Sequence, residues 1–139
     1  MYRVADFMTI DPICLQDTNS LFKGRTTMKK YAVRHLPVLN NDNGNFAGIL
    51  TQKAVLSNAI AIINEKGLDQ LEEQEKGQSV AEVMDTDVIT VAPETPLIDA
   101  AKFFKENRHG CIAVVDELKV VGVLTSGDFV KFAIKVLDQ

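Results

Sequence analysis

Residues 4–8 read VADFM, and the same pattern returns at residues 80–84 as VAEVM. The repetition continues at a constant offset of 76 residues, until a turn that is two residues shorter in the second copy. Beyond that turn, GILT at 48–51 returns as GVLT at 122–125. Units of this length exceed the period of solenoid repeats, so they are two related half-domains. A cleft between two such halves is where we expect a ligand.

The size and charge of the chain limit how it can fold and which partners it can bind. A chain of 139 residues buries about two-thirds of its unfolded surface, whereas half of it would be marginal alone. We therefore expect the two copies to share a core. The 15 basic and 19 acidic residues give a net charge of −4. This argues against a nucleic-acid partner, because binding to its phosphates depends on an excess of basic residues.

The two cysteines, Cys14 and Cys111, lie inside apolar runs without any CxxC spacing. They are typical of buried, reduced thiols, which indicates a cytoplasmic protein. No segment approaches the roughly 20 apolar residues of a membrane span, and the N-terminus lacks the layout of a secretion signal. We therefore expect no membrane partner.

Each copy predicts the same element order, β-α-β-β-α, and hence an α+β fold. In the second copy, a strand at 88–91 precedes a helix that Thr95 should cap and Pro96 should begin. Apolar residues recur at helical spacing along this helix, which should end near residue 107. A hairpin and a closing helix from about Ser126 follow it.

The first copy differs in two respects. Its first helix, predicted over residues 18–31, contains Gly24 and Arg25 where the second copy has two alanines, which should weaken it. The connector at 65–79 is acidic and polar, so we expect a solvated segment or a helical extension, without chemistry. The predicted division is 1–64 for the first repeat, 65–79 for the connector and 80–139 for the second repeat.

Two groups of polar residues are candidates for a ligand site. Thr125 followed by Asp128 forms a helix-capping pattern, and the same helix start can also hold an anionic ligand. Arg34 and His35 precede an apolar strand; they are either an exposed strand end or a phosphate site, since a guanidinium offers paired donors.

The duplicated pattern resembles a tandem pair of CBS (cystathionine β-synthase) domains, the Bateman module. The resemblance rests on the stretch GVLTSGD at 122–128, on Leu36-Pro37-Val38, and on their order in both copies. It implies two pseudo-twofold-related repeats packed sheet to sheet. It also implies that AMP, ADP, ATP or S-adenosylmethionine binds in the clefts between them, with no further cofactor required.

The resemblance also assigns residues to the two clefts. The motif aspartate takes the ribose hydroxyls, and residues before the Leu-Pro-Val run contact the phosphate. The first cleft comprises Val123, Thr125 and Asp128 from the second copy with Ile13, Val33 and Arg34 from the first. The weaker second cleft comprises Arg34, His35, Ile49 and Thr51 from the first copy with Thr86, Ile89 and His109 from the second.

Two departures from the family pattern favour the first cleft. Ala54 stands where the ribose-binding aspartate should recur, so the second cleft lacks its acceptor. Gly110 and Cys111 stand where many members carry a basic pair.

The sequence offers little support for metal binding or for catalysis. His35, His109, Cys14 and Cys111 are scattered without ligand spacing, so no metal site is predicted. No nucleophile elbow or phosphate loop is present in the sequence. An enzyme that uses Cys111 or His35 would lack partner residues, and we predict no catalytic residue.

We therefore predict a regulatory CBS pair without an attached catalytic domain, which senses an adenosine-containing ligand and signals in trans to a protein partner or through dimerisation. Apolar faces of the closing helices around Ala59, Ile62, Phe129 and Phe132 predict a homodimer. The alternative is a ligand-independent structural module for dimerisation or interaction.

Overall fold

The computed structural model describes residues 1–107 and 110–138. It confirms an α+β fold in which each repeat contains the order β-α-β-β-α, and the first repeat has one short additional strand before it. No helix in the described part of the chain is long and apolar enough to cross a membrane. In chain order the strands and α-helices are β1 Thr9–Ile10, β2 Leu15–Gln16, α1 Leu21–Tyr31, β3 His35–Leu39, β4 Phe46–Thr51, α2 Gln52–Lys66, α3 Leu71–Lys76, β5 Thr90–Val91, α4 Leu97–Glu106, β6 Cys111–Asp116, β7 Lys119–Thr125 and α5 Ser126–Leu137.

The chain divides into two compact units whose boundaries differ from those of the repeats. The continuous unit is Ile13–Asp87, and the split unit combines Met1–Pro12 with Val88–Gln139. Each unit therefore contains the leading segment of one repeat, residues 1–12 or 80–87, and the remainder of the other repeat. The division at residues 64 and 80 stays a prediction about the sequence repeats.

The continuous unit is built on a three-stranded sheet in the order β2-β3-β4. Strand β2 runs parallel to β3, and β4 returns antiparallel to it. Helix α1 makes the crossover between the parallel strands, as such a connection requires. The buried core of this unit comprises Leu15, Leu21, Met28, Leu36, Val38, Leu50, Val55 and Val80.

The split unit repeats this sheet and adds one strand. Its order is β1-β7-β6-β5, with β5 parallel to β6 and the short β1 antiparallel to β7. The buried core of this unit comprises Val4, Val91, Ala100, Ile112, Val114 and Leu124.

The leading segments are held by equivalent backbone hydrogen bonds in the two units. The Val80 N–H donates to the Asn19 carbonyl at 2.8 Å, and the Val4 N–H donates to the Thr95 carbonyl at 2.9 Å. Both valines are fully buried. The two copies therefore share core residues, as expected. There are two cores, and each takes one valine from the other repeat.

Two predicted helix starts were also wrong. Helix α1 begins at Leu21 rather than residue 18, because the Ser20 hydroxyl accepts the Lys23 N–H at 3.1 Å and so caps the helix. Before helix α4, Pro96 occupies the cap position. The Thr95 hydroxyl instead accepts the Ala92 N–H at 3.2 Å and closes the preceding turn.

Gly24 has a packing role that its low helix propensity did not suggest. It is buried in α1, and a Cβ added there would lie 2.7 Å from Leu50 Cδ2. The missing side chain therefore lets the helix approach strand β4 closely.

The connector is mostly exposed, as the sequence predicted, but it also forms a helix that packs on its neighbours. Helix α3 contacts both α1 and α2, and the Glu75 side chain is fully buried. Arg25 binds it through Nε and Nη2, each 2.8 Å from Glu75 Oε1. The acidic character of the connector was misleading, because one of its carboxylates pairs with a cation from α1.

Shortening either exchanged valine should destabilise the protein. We expect Val4→Ala and Val80→Ala each to lower the free energy of unfolding by about 2 kcal/mol, because each leaves a cavity in a core. Val136→Ala is the matched control, since this α5 side chain is exposed, and it should cost less than about 0.5 kcal/mol. Urea unfolding measures all three. Equal losses in the three variants would contradict the burial of the leading segments.

Removing Arg25 alone should destabilise the protein more than removing both Arg25 and Glu75. Arg25→Met leaves a buried carboxylate unpaired and should cost roughly 3 kcal/mol, whereas Arg25→Met combined with Glu75→Met should cost less. Lys23→Met, at an exposed position of the same helix, is the control. A double variant that unfolds at lower urea concentration than Arg25→Met would show that the unpaired carboxylate is not the main cost.

Candidate functional site

The start of helix α5 holds the most constrained carboxylate of the split unit. Asp128 is the third residue of α5 and only 3% exposed. Its Oδ2 accepts the Thr125 backbone N–H at 2.9 Å and the Thr125 hydroxyl at 3.3 Å. The helix N-terminus adds a favourable dipole for the negative charge. The predicted capping pattern is therefore present, and it fixes the orientation of the carboxylate.

Thr9 completes this group, although no motif in the sequence pointed to it. The pairing of β1 with β7 sets Thr9 opposite Val123, and the Thr9 hydroxyl donates to Asp128 Oδ1 at 3.0 Å. Thr9 itself is exposed, unlike the carboxylate it contacts. We call Thr9, Thr125 and Asp128 the carboxylate site. Thr125 and Asp128 were predicted together from their spacing, whereas Thr9 lies 119 residues from Asp128 and no local pattern connects them.

The corresponding helix start in the continuous unit has no carboxylate. The Thr51 hydroxyl accepts the Ala54 N–H at 3.0 Å, and no acidic residue lies in the first turn of α2. Thr51 is nearly buried, and His35 lies opposite it across β3 and β4. This half of the predicted second cleft can therefore cap a helix but offers no carboxylate acceptor there.

The other predicted site residues are distributed over both units. In the split unit Val123 is buried and Ile89 is exposed, whereas His109 lies outside the described residues. In the continuous unit Val33 and Arg34 line one cavity, and Ile49 is fully buried. Ile13 and Thr86 are exposed. The two ligand sets, which take residues from both units, stay predictions.

Neither cysteine has the character of a nucleophile. Burial raises the pKa of the Cys14 thiol to about 11, so it is almost entirely protonated at neutral pH. Cys111 is buried in β6, and neither cysteine forms a disulfide. Within residues 1–107 and 110–138, no group of three His, Cys, Asp or Glu residues could hold a metal ion.

Comparison with known proteins agrees with the duplication. A family model described as the CBS domain matches residues 4–67 and again residues 80–135. The chain therefore belongs to the CBS domain family, and the predicted resemblance is confirmed.

Relatives of very different length carry this pair. A CBS domain-containing protein of Dictyostelium discoideum is 29% identical over 109 residues, which are 77% of this chain and 74% of that protein. The homoserine O-acetyltransferase of Methanococcoides burtonii is 30% identical over 126 residues, which are 90% of this chain but only 23% of that protein. The chain thus spans less than a quarter of this second relative.

Solved structures share the whole fold. The CBS-pair protein CBSX2 from Arabidopsis thaliana is 28% identical, with a TM-score of 0.85, covering 99% of this chain and 98% of that chain. A crystal structure of CBSX2 in complex with AMP matches at 26% identity with a TM-score of 0.80, covering 99% of both chains.

Proposed function

We propose that this protein is a non-catalytic regulatory module that binds an adenosine-containing ligand and transmits its occupancy in trans or through dimerisation. AMP, ADP, ATP and S-adenosylmethionine are the candidate ligands. The observation that carries the proposal is the carboxylate site, in which Asp128 is held at a helix start beside an exposed hydroxyl. The AMP complex of CBSX2, a structure of the same fold, supports the choice of an adenosine compound.

Asp128 is proposed to bind the ribose hydroxyls of the ligand. Its Oδ1 receives one hydrogen bond, from Thr9, and a carboxylate oxygen can accept two. A ribose hydroxyl therefore either joins Thr9 at Oδ1 or replaces it. Because Thr9 is exposed, the ligand can reach this bond by displacing one side chain. The remaining proposed contacts are Val123 and Thr125 with Ile13, Val33 and Arg34.

The second set of residues is proposed to bind more weakly or not at all. It comprises His35, Ile49, Thr51, Thr86, Ile89 and His109, and it has Ala54 where Asp128 stands in the other repeat. A neutral methyl group cannot accept a hydrogen bond from ribose. We therefore propose one nucleotide per chain.

One structural observation favours the alternative, a structural module that binds no ligand. Both oxygens of Asp128 already accept hydrogen bonds from the protein, so the residue has a sufficient role as a helix cap. If capping is its whole role, the chain is a structural module, and nucleotide affinity will not depend on this carboxylate.

The proposed homodimer uses exposed apolar side chains of the closing helices. The four residues named from the sequence are at least partly buried within their own units, and Phe132 packs edge-on against Tyr2 and Phe7. The exposed apolar positions are Leu56 and Ile60 on α2 and Val130 and Ile134 on α5. Leu56 matches Val130 in the duplicated pattern and Ile60 matches Ile134. Both repeats therefore present the same apolar stripe, which a second copy would cover.

The carboxylate site predicts how AMP affinity responds to substitution. Asp128→Ala should weaken AMP binding about tenfold to a hundredfold, because charge-assisted hydrogen bonds to ribose are lost. Ala54→Asp should supply the missing acceptor and raise the number of bound nucleotides from one per chain towards two. Titration calorimetry on the folded proteins measures both effects.

A matched control separates ribose binding from helix capping. Asp99 is the third residue of α4, as Asp128 is of α5, and it is exposed. Asp99→Ala should leave AMP affinity within about twofold of the wild type. Asp128→Ala should itself lower the free energy of unfolding by roughly 1 to 2 kcal/mol through the lost cap. If it does so while AMP affinity stays unchanged, the structural alternative is correct.

The apolar stripe predicts the oligomeric state. Light scattering at micromolar concentration should give twice the 15.3 kDa mass of one chain. Ile60→Lys combined with Ile134→Lys should restore the monomer mass, because it places two charges on the proposed interface. Ala61→Lys, on another exposed part of α2, is the control and should remain dimeric. A wild-type mass of one chain would refute this interface.

A further inference from the structure

A cavity of about 300 Å³ in the split unit lies between helices α4 and α5. Ile98 and Ala101 of α4 line it together with Phe129 and Phe132 of α5, and Tyr2 lies at one end. No charged side chain of the described residues lines it, and Ile98 is well exposed. We call it the apolar groove.

The equivalent groove of the continuous unit, between α1 and α2, is filled by helix α3. Glu75 of α3 is fully buried and pairs with Arg25 of α1. Just after α3, the side-chain amides of Gln78 and Asn58 exchange two hydrogen bonds, at 2.9 and 3.0 Å. The contacts that hold α3 in this groove are therefore largely polar.

The duplicated pattern makes the two grooves comparable residue by residue. Arg25 corresponds to Ala101, and Asn58 corresponds to Phe132. Both polar residues that hold α3 and the residue after it are thus replaced by apolar ones in the split unit. The shape of the groove is common to the two repeats, whereas its chemistry has changed from polar to apolar.

Tyr2 occupies the place of Gln78 at the end of the apolar groove. The Leu97 N–H donates to the Tyr2 carbonyl at 2.9 Å, as the Leu21 N–H donates to the Gln78 carbonyl at 2.7 Å. The Tyr2 ring packs edge-on against Phe132, with their centroids 5.2 Å apart. The register places the counterpart of α3 before Met1, so none of the described residues covers the groove as α3 covers the other one.

The lining determines the chemistry of a helix that could lie there. A carboxylate at the position of Glu75 would meet Ala101 instead of a cation, and it would lose its hydration without gaining a partner. An apolar side chain at the same position would bury its surface against Ala101 and Ile98. A complementary helix is therefore apolar where α3 is acidic.

We propose that the apolar groove docks a helix of a partner protein in the position that α3 takes in the continuous unit. The partner helix presents an apolar side chain to Ala101. The groove shares no residue with the apolar stripe assigned to the homodimer, so the two surfaces are separate. This inference goes beyond the proposed function, because it assigns a protein-binding surface that does not depend on a nucleotide.

A peptide of residues 67–76, which contains α3, is the probe. A lactam between Glu72 and Lys76 holds it in a helix, since these exposed residues are one helical turn apart. One version keeps Glu75, and the other carries Glu75→Leu. Fluorescence anisotropy of the fluorescein-labelled peptides measures their binding to the full chain.

We expect the wild type to bind the Glu75→Leu peptide at least about tenfold more tightly than the Glu75 peptide, because the groove offers the carboxylate no cation. Ala101→Arg should reverse this preference, because it places a guanidinium where the other repeat has Arg25. The fold accommodates arginine at that position in the continuous unit, and circular dichroism checks that the variant folds. Phe103→Arg, at an exposed position of α4 outside the groove, is the matched control and should leave the preference unchanged.

Failure of the wild type to bind either peptide at millimolar concentration overturns the proposal, and so does equal binding of both. Equal effects of Ala101→Arg and Phe103→Arg also overturn it, because they reflect net charge alone. If Ile98→Lys converts a dimer into a monomer in light scattering, a second copy covers the groove and the partner helix is wrong. AMP affinity does not enter these outcomes, so this inference and the proposed function can fail separately.

Discussion

The structure depends on the backbone hydrogen bonds that join the leading segment of each repeat to the body of the other. The N–H groups of Val80 and Val4 donate to carbonyls before α1 and α4, and the valine side chains enter the two cores. Buried backbone groups must be paired, so each segment fills a place that its unit cannot leave empty. The Thr9 contact with Asp128 is a direct product of this exchange, because β1 belongs to an exchanged segment.

The two copies keep the same framework and differ in their charged residues. The second repeat has Asp128 at its closing-helix start, and the first has Ala54 there with Arg25 and Arg34 nearby in its unit. Backbone pairing and apolar packing are common to both copies, so these substitutions leave the fold unchanged. Duplication therefore lets the charged residues of the two copies diverge without altering the scaffold.

The duplicated pattern predicted the element order because strand and helix periodicities recur in both copies. The helix-capping role of Asp128 was also predicted, since its motif is local in sequence. The pairing of Arg25 with Glu75 spans 50 residues and that of Thr9 with Asp128 spans 119, so no periodicity connects them. Gly24 was misjudged for a related reason. Its helix propensity is a local property, whereas its contact with Leu50 exists only in the folded unit.

The exchange of leading segments also bears on how such a protein arose. A single ancestral repeat of this design would have left its own leading segment without a body to pack on and its own core without a leading segment. It could have acquired that segment only from a second copy, in a symmetric pair in which each chain supplied the other. Fusion of two such genes would have converted a contact between molecules into one within a molecule. The covalent link would then have removed the concentration dependence of folding and freed each half to change independently.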